Sequence, residues 1–275
     1  ASSNAKVLYG VLQKNDEDLG EGSEIFDITQ AHFVFDPEKK HTVQSMALEF
    51  LSESVPLLKE LRKENFEDIG SQKTFEFGFA KRLYSGLRIY PWLERYLKER
   101  ESERLFKEID APLLPILAKM EMQGICLDKE YYAGLEKEFT EITEGIDNKI
   151  KEICGKEVNL KSPKQVGALL FEDLGLPVIK KTKTGYSTDA GVLEKLAQMK
   201  ESEVPELIIQ YREIDKLNST YVKALPELVK EDGKIHTHFN QHVAQTGRLS
   251  SDQPNLQNIP IRTENGRKLR KGFHA

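Results

Sequence analysis

Residues 238–262 read HFNQHVAQTGRLSSDQPNLQNIPIR, where two arginines and a single acid stand among amides and hydroxyls. Arg248, Ser250, Ser251, Asn255, Gln257 and Asn258 all offer neutral or cationic hydrogen-bond donors. No His–carboxylate pair neighbours Ser250 or Ser251 in the sequence, so nucleophilic hydrolysis has little support. The minor groove of a nucleic-acid duplex presents acceptors, purine N3 and pyrimidine O2, at every base pair. Arg, Asn and Gln donors can feel the shape of a correct pair there without reading its identity. That chemistry fits this cluster.

Two further stretches could hold phosphates. Lys180, Lys181, Lys183, Thr184, Ser187 and Thr188 make a basic, hydroxyl-bearing loop between two helical patterns. In REIDKLNSTY, Arg212, Lys216, Ser219 and Thr220 fall three and four residues apart, on one helical face. The residues alone leave a plainer reading open for both, as a polar loop and a solvated surface with Glu213 and Asp215 as counter-charges. His236, His238 and His242 raise a metal site as a competing idea, but no Cys, Asp or Glu flanks them at ligand spacing. Local packing and hydrogen bonding is the expected role of these histidines.

The elements that must position these groups are mostly helical. A chain of 275 residues with 39% hydrophobic and 31% charged residues suits two or more soluble domains. No apolar run approaches the ~18 residues a membrane span needs, and no signal peptide is visible. Cys126 and Cys154 form no framework, which suits a reducing cytoplasm, and both are expected as small hydrophobes in helix packing. The net charge of −5 is uneven: residues 159–275 hold 18 Lys and Arg against 14 Asp and Glu, and the remainder 22 against 31. An anionic ligand held on one side would produce such a split.

Residues 6–50 mix the apolar runs KVLYGVL and IFDITQAHFVF with the acidic loop NDEDLGEGSE, an α/β reading, before a helix over TVQSMALEFL. Helical pattern follows over 72–98 with an interruption at Pro91. Another helix runs from Leu105 with Ile109, Leu113, Ile116, Leu117 and Met120 as its stripe, ending at Gly124. Asp128 caps a long helix that stops at Gly155. Ser162 and Pro163 open a short one closed by Gly175. Thr188 or Ser187 begins the next, and a further helix ends near Pro226. After the Asp232-Gly233 turn, KIHTHFNQHV alternates as a strand.

With these motifs in order, the chain resembles the bacterial family A DNA polymerases. TGRLSS…PNLQNIPIR, preceded by IHTHFNQ and followed by GRKLRKGFHA, is similar to that family's thumb-to-palm junction. PLLPILAKMEMQGICLD, VNLKSPKQVGALLFEDLGLP, KKTKTGYSTDAGVLEKLA and QYREIDKLNSTYVKALPEL resemble its thumb, so the likeness covers roughly residues 105–275. SSDQPN departs from the family, which commonly has a further Ser and then Asp before the Pro. The resemblance implies that Arg248, helped by Asn255, Gln257 and Asn258, donates into the minor groove near the primer end. It implies that Lys216, Ser219 and Thr220 grip the backbone, and that Ser162 to Lys164 and the 180–188 loop form a mobile thumb tip. More distantly, EIFDITQAHFVF…HTVQSMALEFL resembles the later part of the family's 3′–5′ exonuclease-like domain. Carboxylates are lacking where the family's metal ligands would align, near Gly10 and within KRLYSGLRIYPW, so that part is expected to be inactive.

The expected fold is therefore mixed α/β and mostly α: a degenerate exonuclease-like α/β domain at 1–104, a helical thumb at 105–233, and the first antiparallel strands of a palm at 234–275. The expected partner is primer–template double-stranded DNA, with no membrane. The rest of the palm and the fingers would lie in the same protein or in a second chain. The resemblance assigns Mg²⁺ to the complete polymerase, and no catalytic or metal residue to this stretch. A stand-alone or adaptor DNA-binding protein is the alternative. Asp252 and Glu264 are the only acids after residue 236, in segments where the family has no ligands. The chain by itself is thus expected not to extend a primer with Mg²⁺ and nucleotides; a gel showing extension by pure material contradicts this.

Overall fold

Among the described residues one three-stranded antiparallel sheet and two two-stranded ones, all of strands two or three residues long, accompany the helices. The computed structural model describes residues 4–15, 17, 25–61, 69–183 and 185–274. In chain order the elements are α1 Ala5–Lys14, α2 Ile28–Phe35, α3 Val43–Leu51, α4 Leu58–Leu61, α5 Ile69–Glu99, α6 Glu103–Leu105, α7 Ala111–Gln123, β1 Ile125–Leu127 and α8 Lys129–Cys154. They continue with α9 Pro163–Ala168, β2 Lys181–Thr182, β3 Gly185–Tyr186, α10 Ala190–Met199, α11 Val204–Leu217 and α12 Ala224–Glu227. The last are β4 Lys234–Ile235, β5 His238–Asn240, β6 Ser250–Asp252, α13 Glu264–Lys271 and β7 Phe273–His274. Wider π-helical turns at Phe106–Asp110, Leu169–Asp173 and Asn218–Val222 join onto α7, α9 and α11. No helix among the described residues is long and apolar enough to cross a membrane.

The chain divides into two compact units, Ala1–Gly124 with His236–Gln257, and Ile125–Ile235 with Asn258–Ala275. In the first, α2, α3 and α5 bury Ile28, Ala31, Met46, Ala47, Ile89 and Leu93 in one cluster. The α/β reading of its opening is corrected: both apolar runs fold as helices. Val7, Leu8, Val11 and Leu12 recur at helical spacing, Asn4 caps α1, and the buried Asp27 caps α2 while accepting the Ala5 N–H at 2.6 Å. Of the acidic loop, only Asn15 and Glu17 lie within the described residues. Pro91 does not interrupt α5, because Ile89, Leu93 and Leu97 on either side of it are fully buried and hold the helix through the missing donor.

The stripe expected after Leu105 is also corrected. Ile109, Ile116 and Met120 are exposed, while Phe106, Leu114, Leu117 and Ala118 are buried. The π-turn at Phe106–Asp110 adds a residue to one turn and rotates the face that follows. That extra residue leaves no mark in a hydrophobic pattern.

In the second unit, β1 is the centre strand between β4 and β7, with Ile125 opposite Ile235 and Leu127 opposite Phe273. Cys126 therefore lies in a strand rather than a helix; Cys154 does pack against helices. As expected, Asp128 caps α8 by accepting the Tyr131 N–H, and Gly155 ends that helix at φ +68°. Helices α8 to α11 enclose Ile150, Leu169, Leu170, Leu193, Val204 and Ile208. Ser162 caps α9 as expected, but the cap of α10 is Asp189, one residue beyond Thr188. The expected strand after Gly233 is two strands, β4 and β5, in different sheets.

One pair in the first unit makes stability depend on pH. His32 Nδ1 lies 2.9 Å from His41 Nδ1, and His32 Nε2 lies 3.4 Å from Glu49. A hydrogen bond between two Nδ1 atoms needs one of them to accept, so the pair cannot be doubly protonated. Burial pushes His32 down; burial and then the neighbouring His32 and His242 push His41 down to about 4. The unfolded chain takes up these protons near pH 6.5, so the pair's contribution is complete above that value and is lost as pH falls towards about 4. Melting curves should show Tm falling between pH 7 and 4.5, with a smaller fall in His41→Gln; an equal fall in that variant contradicts the assignment.

Candidate nucleic-acid interface

A concavity of about 1210 Å³ opens in the second unit. It is lined by the start of α9 (Ser162, Lys164), the turn before α10 (Ser187, Thr188), and the last two turns of α11 with the π-turn after it (Arg212, Lys216, Ser219). Seven of the residues singled out in the sequence thus come together from three separate segments. Thr220, in the middle of the π-turn at Asn218–Val222, does not line it. Lys180, Lys181 and Lys183 are exposed on the β2–β3 hairpin outside the lining, and Thr184 lies outside the described residues.

What these side chains offer differs from what their types suggest. Ser187 and Thr188, read from the sequence as hydroxyls that could bond to oxyanions, are buried and their hydroxyls are engaged internally. Ser187 Oγ donates to Asp189 at 2.9 Å. The guanidinium of Arg212 donates to the Thr188 carbonyl, and to its hydroxyl at 3.2 Å, so Arg212 braces the turn against α11. Burial pushes Arg212 down from its ordinary pKa. Lys180 is 2.9 Å from Asp189, and that contact, the Val192 N–H and Ser187 hold the Asp189 carboxyl down at about 2. Ser219 Oγ donates to the Asp215 carbonyl at 2.8 Å. Lys164 and Lys216 are left: both are exposed, and their ammonium groups have no partner among the described residues.

Sequence reasoning missed Lys161, Gly167 and Tyr186, which also line the concavity. Lys161 lines the concavity and pairs with Asp215 at 2.7 Å. The Tyr186 ring lies in contact with Phe171 and against Gly167, where an added Cβ would come within 3.3 Å of Tyr186. A glycine inside a helical pattern was the available signal for that close approach.

In the first unit, β5 and β6 pair antiparallel, with His238 opposite Asp252, Phe239 opposite Ser251 and Asn240 opposite Ser250. Between them the chain turns at Gly247, φ +73°, and presents an exposed Arg248 with no hydrogen bond or ion pair among the described residues. Ser250 is partly exposed in β6. Ser251 is buried; its hydroxyl accepts the Leu256 N–H at 3.1 Å and donates to Asn255 at 3.4 Å, so it shapes the following turn and does not face solvent. Asn255 Oδ1 also accepts the Gln257 N–H, and Gln257 Nε2 donates to the Leu249 carbonyl at 3.0 Å. Asn258, in the second unit, is exposed, and its carbonyl accepts the Tyr221 hydroxyl at 2.6 Å. The partner of two of the histidines is distant in sequence: His236 Nδ1 is 2.7 Å from the Glu121 carbonyl and His238 is 3.6 Å from its carboxylate.

Compared with known proteins, residues 129–275 match the family model for DNA polymerase family A. The chain is 51% identical to DNA polymerase I of Geobacillus stearothermophilus over 178 residues, which is 64% of this chain and 20% of that protein. It is 36% identical to DNA polymerase I of Pseudomonas aeruginosa over 281 aligned positions, 99% of this chain and 31% of that protein. The chain therefore spans between a fifth and a third of the length of these relatives. A solved structure, the POL domain of Pol1 from M. smegmatis in complex with DNA primer-template and dNTP, superposes with a TM-score of 0.79 at 33% identity, covering 98% of this chain and 44% of that one.

The brace between α11 and the turn before α10 is directly testable. Arg212→Met leaves the partly buried Thr188 acceptors without a donor, and should lower unfolding free energy by about 1–3 kcal/mol. Urea denaturation followed by circular dichroism measures it; an unchanged midpoint contradicts the brace.

Proposed function

Since the chain belongs to DNA polymerase family A, we propose that it is the duplex-gripping portion of a DNA-directed DNA polymerase, acting in template-directed nucleotidyl transfer. In this reading, residues 105–233 are a thumb, 234–275 the start of a palm, and 1–104 part of a 3′–5′ exonuclease-like domain without activity. The observation that carries it is the pattern of donors that remain available. Lys164 and Lys216 at the concavity, and Arg248 beyond the Gly247 turn, are exposed cationic groups with no internal partner. Phosphodiesters and minor-groove acceptors are the ligands such donors suit.

The roles divide accordingly. Lys164, Lys216, Thr220 and the hairpin lysines Lys181 and Lys183 meet the backbone. Arg248, with Ser250, Asn255, Gln257 and Asn258, meets the minor groove. Arg212, Ser187, Thr188 and Ser251 hold the surfaces in shape. Likeness to a polymerase domain whose own structure contains primer-template supports duplex DNA as the partner. The complete polymerase would use Mg²⁺, yet among the described residues no group of three or more His, Cys, Asp or Glu is placed to hold a metal ion. The residues present do not fit that role, and no chemical step is assigned to them.

Fluorescence anisotropy with a labelled primer–template duplex should report weak, sequence-independent binding that declines steeply with salt. Lys164→Ala and Lys216→Ala should each reduce the slope of log K against log salt by about 1, the signature of a lost phosphate contact. Arg248→Ala should weaken binding with a smaller change of slope. Absence of binding at low salt contradicts the proposal.

A further inference from the structure

We infer that Glu121 is the positioning residue of the β5–β6 ribbon: with Lys6 it holds the outer edge of β5, and through β5 the donors that follow Gly247. The inference rests on the reading that this ribbon faces a duplex. Three residues of ladder on each side make a ribbon that is marginal by itself. Its outer edge is also a problem, because a strand's unpaired N–H and C=O groups invite another strand. Both main-chain groups of Phe239 are taken by side chains. Its N–H donates to Glu121 Oε1 at 2.6 Å, and its carbonyl accepts from Lys6 Nζ. Lys6 and Glu121 are themselves paired at 2.6 Å, with side chains only 15% and 17% exposed.

An ammonium–carboxylate pair thus supplies the donor and the acceptor that a neighbouring strand would have supplied. The same residue grips the ribbon twice more, through His236 Nδ1 at its carbonyl, 2.7 Å away, and His238 Nδ1 at 3.6 Å from its carboxylate. From Phe239 the constraint passes to Ser251 opposite, and from the Ser251 hydroxyl to the Leu256 N–H. Thr237 adds a second tie by donating to the carbonyls of Asp252 and Pro254, at 2.9 and 2.7 Å. None of these contacts of Glu121 reaches Arg248, Asn255 or Gln257. Its influence on them is entirely through the ribbon's main chain.

A double-mutant cycle on duplex binding, with hydrogen exchange beside it, tests the inference. Glu121→Ala should weaken duplex binding roughly tenfold, as loss of a charge-assisted bond would. Glu121→Gln, whose amide oxygen still accepts the Phe239 N–H, should recover most of it. The salt slope should stay that of the parent chain, since no phosphate contact is lost. Glu121→Ala combined with Arg248→Ala should cost less than the product of the single losses, whereas with Lys216→Ala it should give the product. Amides of 238–240 and 250–252 should exchange faster in Glu121→Ala, with α8 and α11 unchanged. Should that variant not fold, Lys6→Met carries the same cycle. A product with Arg248→Ala, or unchanged exchange in the ribbon, overturns the inference. If the parent chain binds no duplex, the functional reading itself fails, and faster exchange would leave Glu121 only as the ribbon's anchor.

Discussion

Short strands need anchors other than their own ladder, because two or three residues of pairing release too little free energy to order the loop between them. Three segments that carry candidate contacts are held in that way. The ribbon bearing Arg248 is fixed at Phe239 by the Lys6–Glu121 pair. The turn before α10 is fixed at Thr188 by Arg212. The segment after the ribbon is fixed at Asn258 by Tyr221, and further along Arg270 donates to the carbonyls of Ile259 and Pro260. A side-chain bond to a main-chain group recurs in all three.

The consequence for chemistry is a surface weak in net charge but selective in what it offers. Acids sit among the cations of the concavity: Asp215 holds Lys161, and Asp189 holds Lys180 just outside it. A duplex meeting the concavity would encounter a few unpaired ammonium groups among paired ones, not a uniformly positive wall. In the proposed reading such an arrangement gives modest affinity, strong salt dependence and tolerance of sequence.

Much of this was legible in the sequence, and the failures have physical causes. Helix ends marked by Asp128, Gly155, Ser162 and Gly175 were readable because caps are local chemistry. Ser162, Lys164, Arg212, Lys216 and Ser219 gather at one concavity, which neither loop nor helix alone predicted. The π-turns at Phe106–Asp110 and Asn218–Val222 were invisible, and so were the true buried face of α7 and the absence of Thr220 from the lining of the concavity. Burial of Ser187, Thr188 and Ser251 could not be read from their types, because a hydroxyl suits a solvent-facing contact and an internal brace equally well. Glu121 was hidden for a related reason: in a chain with 45 acids, nothing local distinguishes one whose partner lies more than a hundred residues away.

The central claim, that the exposed donors of the concavity and of the ribbon meet a duplex, is tested most directly by hydrogen exchange with and without a primer–template. The account predicts slower exchange on duplex addition over 160–167, 185–190, 214–222 and 247–258, with α2, α3 and α5 unaffected. Protection confined to those three helices, or none at saturating duplex, would contradict it.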